Sequence, residues 1–121
     1  MDSSGGLAWP EILRRLEILQ RRWDLACIEN MAEVPGIRAG VLLRRVNNQS
    51  PGRRLTWKVL AERLDWLEAA GYVTRRETAD RRGTCYWLRP RGWHALSAAR
   101  AMAAWHDEHD KSCCLGTGFG A

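Results

Sequence analysis

Arginine is the residue type in this chain whose spacing points to a chemistry. Arg53 and Arg54, Arg75 and Arg76, and Arg81 and Arg82 form adjacent pairs within residues 51–93, with Lys58 and Arg63 between the first two pairs. That segment holds ten Lys and Arg against five Asp and Glu, whereas residues 1–50 hold seven against six and residues 94–121 two against three. The formal charge of +5 is therefore concentrated in one stretch. Clustered guanidinium groups suit phosphate oxygens, which they bind bidentately while releasing counterions condensed on duplex DNA.

Other chemistries find less support. His106 and His109 share a helix face, and Cys113 and Cys114 follow, but the spacing matches no zinc signature, so neither a metal nor a cofactor is expected. The chain shows no Ser/His/Asp order, phosphate-binding loop or dinucleotide fingerprint, so no enzyme activity is expected. Cys27, Cys85, Cys113 and Cys114 include no CxxC pair, which fits a reducing compartment. No stretch approaches the roughly 18 apolar residues of a membrane span, so the reading is cytoplasmic with no membrane partner.

The arginines need elements to hold them. Thr56 suits a helix N-cap, Leu60, Leu64 and Leu67 mark one buried face, and Gly71 suits the C-cap, which predicts a helix over residues 56–70. Two β-prone segments follow, residues 72–78 and 84–88, around the turn ADRRG. Upstream, Ile37, Val41, Leu42 and Val46 predict a shorter helix, and NNQSPGRR supplies the turn after it. Leu25, Ile28 and Ala32 predict a helix ending at Pro35 and Gly36. Trp9, Ile12, Leu16, Leu19 and Trp23 recur at steps of three and four, as on one helix of two heptads over residues 9–23. Residues 90–109 predict a last, alanine-rich helix whose small side chains allow close approach of another helix.

Helix, turn, helix and basic hairpin in that order predict a mainly α fold with a small β-wing, a winged helix-turn-helix that dimerises through its N- and C-terminal helices. Residues 1–8 are expected to be disordered, 9–109 to form the DNA-binding and dimerisation domain, and 110–121 to form a flexible tail. The recognition helix, residues 56–70, enters the major groove with Thr56, Trp57, Lys58, Glu62 and Arg63. Arg53 and Arg54 precede it, and the wing, residues 75–83, sets Arg75, Arg76, Arg81 and Arg82 on the backbone or minor groove.

Seven tryptophans point to a second chemistry, because their flat faces stack on planar rings. Trp9, Trp23, Trp66, Trp93 and Trp105 are candidates to line a crevice between subunits that takes a planar aromatic effector. The competing function is accordingly an aromatic small-molecule binding or sequestering protein on the same scaffold.

LTWKVLAERLDWLEAAGYVTR, from Leu55, and YWLRPRGWHAL, from Tyr86, resemble the two signature runs of the HxlR-type winged-helix regulators of bacteria. The DRR turn at residues 80–82 is similar to that of the MarR family, and a tryptophan-lined dimer crevice resembles the PadR arrangement. The resemblance spans roughly residues 23–109 and implies a dimeric transcriptional regulator, read as a repressor, with the Thr56 helix in the major groove. Two features depart from the HxlR pattern: the segment between Val46 and Leu55 is longer, and the N-terminal cysteine that some members use for redox sensing is absent.

Overall fold

The computed structural model describes residues 8–77 and 83–116, the side chains of 13, 15, 19, 20 and 110–116 excepted. The chain runs α1 (Trp9–Arg15), a 3-10 turn (Glu17–Gln20), α2 (Arg22–Glu33), β1 (Ile37–Arg38), α3 (Ala39–Gln49), α4 (Trp57–Ala69), β2 (Val73–Glu77), β3 (Thr84–Leu88) and α5 (Pro90–Gly116).

Both expected ends of α4 are present. The Val59 N–H donates to the Thr56 hydroxyl at 3.3 Å, satisfying one of the orphan donors of the first turn. At the other end Gly71 takes φ +86°, and the Gly71 and Tyr72 N–H groups donate back to the carbonyls of Glu68 and Leu67. Leu60, Leu64 and Leu67 are buried, as their spacing predicts. They meet Ile28 and Met31 of α2, Leu42 and Val46 of α3, and Leu96 of α5 in one core.

β2 and β3 pair antiparallel from Val73 opposite Leu88 to Glu77 opposite Thr84. The described strands form one antiparallel sheet in the order β1-β3-β2. β1 is absent from the sequence reading, which places Ile37 at the head of a helix. Two residues are too short to show alternation; Ile37 is drawn into the sheet by pairing with Tyr86, and Gly36 N–H donates to the Tyr86 carbonyl at 3.0 Å.

The expected single helix over residues 9–23 is corrected. It breaks at Leu16 (φ −94°, ψ 3°), passes through the 3-10 turn, and restarts as α2 after the extended Arg21. Ile18 explains the break: it is 3% exposed in the core, yet an unbroken helix would set it about 200° around the axis from Leu16. Burying both a seam and Ile18 is incompatible with one straight helix. Trp23 therefore belongs to α2 and packs against the domain core. The last helix is also longer than expected, its backbone continuing through Gly116 into the residues read as tail.

Candidate nucleic-acid interface

α3 is oriented before α4 is placed. Asn30, buried on α2, donates to the Ala26 carbonyl at 2.8 Å and trades amide hydrogen bonds with Gln49 of α3. Arg45 of α3 donates to Asn30 Oδ1 at 2.9 Å and to Glu33 at 2.7 Å. The long connection from α3 to α4 is then tied back onto α3. Asn47 donates to the Leu55 carbonyl at 3.0 Å and accepts from the Leu55 N–H at 2.7 Å, mimicking one rung of a strand ladder. Leu55 is anchored in the core, so Thr56 starts α4 at a defined point. The sequence reading counted Asn47 only as a turn residue.

Trp57, Lys58 and Glu62 are exposed on the first turns of α4, with Arg53 and Arg54 exposed on the approach and Thr56 at the cap. Beside them, Arg38 at the end of β1 and Arg44 on α3 line a depression of about 450 Å³ together with Trp57, Gly83 and Thr84. Neither arginine was selected from the sequence, because helical spacing alone does not reveal that the start of α3 and the base of the hairpin converge on α4.

Arg63 is placed differently from its expected role. Its guanidinium donates to Asp24 Oδ2 at 3.3 Å and lies 5.8 Å from the Trp66 ring, turned toward the body of the domain. Asp24 is fully buried, and Arg21 approaches the same oxygen at 3.9 Å. Burial raises the Asp24 carboxyl above its ordinary range, outweighing Arg63 and Arg21, which pull it down. Arg63 thus ties α4 to α2.

Arg75 and Arg76 are exposed on β2 and, as neighbours in a strand, project to opposite faces. Arg75 lies opposite Tyr86 and 3.9 Å from Glu68; Arg76 lies opposite Cys85, with Arg38 opposite Cys85 on the other side. Arg76 and Arg38 therefore share one sheet face. Arg81 and Arg82 fall outside the described residues.

The five tryptophans proposed for a crevice are not brought together in the chain. Trp23 and Trp66 are half-buried against the core, with Trp66 stacked on Tyr72 at 5.9 Å and covered by Arg21 at 4.7 Å. Trp9, Trp93 and Trp105 are exposed on α1 and α5. The described grooves are lined by other residues. One of about 420 Å³ between α2 and α5 has Arg21, Arg22 and Arg100 around Leu25, Leu96 and Ala99.

Among the described residues no group of three or more His, Cys, Asp or Glu is arranged to hold a metal ion, and no helix is long and apolar enough to cross a membrane. His109 lies on Trp105, its Nδ1 2.8 Å from the Trp105 carbonyl oxygen. Cys27 is fully buried, and burial raises its thiol to about 12, so it stays protonated at neutral pH.

No protein-family model matches this chain, and no curated protein matches it. Solved structures do. The MarR-family transcription regulator SP03579 is 27% identical, with a TM-score of 0.56 over 78% of this chain; the match spans only 56% of that protein. A MarR-family transcriptional regulator from Enterococcus faecalis V583 is 20% identical, with a TM-score of 0.75 over 95% of this chain and 99% of its own. The transcriptional repressor CouR, bound to a 23-mer DNA duplex, is 18% identical, with a TM-score of 0.66 over 88% of this chain and 71% of its own. The chain shares the winged-helix fold of these regulators.

Proposed function

We propose that this chain is a DNA-binding transcriptional regulator of the HxlR type, acting as a homodimeric repressor. The observation that carries the reading is the first turn of α4: capped by Thr56, anchored through Leu55, and presenting Trp57, Lys58 and Glu62 to solvent beside Arg38, Arg44, Arg53 and Arg54. A helix entering the major groove reads base edges with its N-terminal residues, while surrounding arginines hold phosphates. The CouR–DNA complex supports the use of this fold on duplex DNA. Arg63 leaves the contact set because its guanidinium is committed to Asp24. Arg75 and Arg76 carry the wing base, and Arg81 and Arg82 its tip. A dimer bound across a promoter represses by excluding polymerase, which requires no enzyme activity.

The dimer reading rests on the terminal helices. Trp9 and Ile12 of α1 and Met102 and Trp105 of α5 are exposed, and every residue from 101 to 109 faces solvent in the single chain. An aromatic effector is a second reading, supported by the groove between α2 and α5, where Arg21, Arg22, Arg100 and Glu29 rim an apolar floor that would take a planar ring.

The test is binding to genomic fragments, including the protein's own promoter region, over a salt series with excess nonspecific competitor. A regulator leaves a saturable complex that survives competitor. Replacing Arg81 and Arg82 with Ala weakens that complex and lowers the salt slope by about one per arginine. Affinity that survives the double change at every salt removes the wing from the interface.

A further inference from the structure

Trp57 is the large apolar side chain on the candidate interface, and phosphate does not explain its chemistry. It is 57% exposed although it is among the largest apolar side chains in the chain, and charged side chains surround it: Arg38 and Arg44 on the shared depression, and Lys58 next in sequence. An exposed indole on a basic surface carries a hydration cost that a phosphate contact does not relieve.

Its position is also defined. Trp57 is the first residue of α4, and its ring lies over Gly40 near the start of α3, where a Cβ would stand 3.8 Å from Cη2 and 3.9 Å from Cζ2. The six-membered edge of the indole is thus backed by bare helix. α3 supports the ring without covering it, and the rest of the surface stays open to a ligand.

Duplex DNA presents one apolar group in its major groove, the C5 methyl of thymine. Resting on the regulator reading above, we infer that Trp57 is a specificity-determining residue that covers a thymine methyl at one position of each half-site. Arg38 and Arg44 hold the flanking phosphates and bring the groove wall to the ring. Discrimination then comes from buried methyl area and not from a hydrogen bond, so it distinguishes thymine from uracil, which a hydrogen-bonding side chain reading O4 does not.

The experiment takes the full chain and an operator recovered by selection from random duplexes. Each thymine is replaced in turn by deoxyuridine, which removes the methyl alone. Wild type is expected to lose about fourfold in affinity at the contacted position, the worth of one buried methyl group. The Trp57→Ala variant is expected to bind the thymine operator more weakly and to show no further loss on the uracil operator. Replacing cytosine by 5-methylcytosine elsewhere leaves both proteins unchanged. Uracil tolerated by wild type at every position, or costing the variant as much as wild type, overturns the role of Trp57 while leaving the regulator reading intact. Failure of wild type to select any operator overturns both. Because the substitutions are made in the DNA, the result for wild type does not depend on how the variant folds.

Discussion

Asp24 is the buried side chain through which α4 is tied to α2. It is fully buried on α2, receives Arg63 of α4 at 3.3 Å on Oδ2, and has no hydrogen-bond partner on Oδ1 among the described residues. A half-satisfied buried carboxylate is costly to ionise, which is why its titration is displaced upward despite two arginines. The sign follows from linkage: with the folded value above the unfolded one, the protonated form is favoured in the fold. Its contribution is complete below the ordinary aspartate value of about 3.9 and is lost as pH rises through the folded value. Relative to Asp24→Asn, which cannot titrate, wild type should gain unfolding free energy as pH falls from neutrality into that window. Urea denaturation of both proteins across the range measures it, and wild type losing stability relative to Asp24→Asn on acidification would show that the arginines hold Asp24 ionised. None of this was legible in sequence. Arg63 reads as one more basic residue on a polar face, and its partner lies 39 residues earlier, so only the crossing of α2 and α4 reveals the pair.

Elements were legible where local chemistry and periodicity agree. α4 carries a cap, a 3-4 leucine spacing and a glycine stop, and β3 a compact run of β-prone residues, so both were placed within a residue of their observed ends. The misreadings lie where tertiary contacts override the pattern: Ile18 breaks the first helix, and β1 exists only because β3 offers it an edge. The glycine in RPRGWHAL shows a third case, a residue whose sequence signal is clear but whose reason is spatial. Gly92 lies on the first turns of α5, where a Cβ would meet the Tyr72 carbonyl oxygen at 2.4 Å and Leu88 Cδ2 at 2.9 Å. The Tyr72 carbonyl also accepts from the Arg89 N–H at 3.0 Å, so backbone on both sides is held. Gly92→Ala should therefore cost about 1–3 kcal/mol or more, despite the better helix propensity of alanine. Gly40→Ala, whose Cβ finds only an ordinary 3.8 Å contact, should be neutral or stabilising. Thermal melts of the two variants separate the cases, and equal melting temperatures would mean that α5 can slide away from the sheet.

At the scale of the whole molecule, α5 poses the problem that a single chain leaves open. Its first turns bury Ala95 and Leu96 in the core, but residues 101–109 are exposed, Met102 and Trp105 among them. A helix stabilised mainly by packing has little reason to persist there unless something covers it. In the proposed dimer a second copy of this chain would cover it and set two copies of α4 against consecutive turns of one DNA face, joining the stability of α5 to the function proposed for α4. Met102→Glu combined with Trp105→Glu should then convert a dimer to a monomer in sedimentation equilibrium. The core should remain folded, because neither side chain belongs to it. Operator affinity should fall by about 100-fold or more, the scale at which loss of bivalence acts. A dimeric variant would move the interface elsewhere, and a monomeric wild type would remove the dimer from the proposed function. If the variant is monomeric yet binds the operator as tightly as wild type, one winged helix suffices and the spacing of half-sites carries no information.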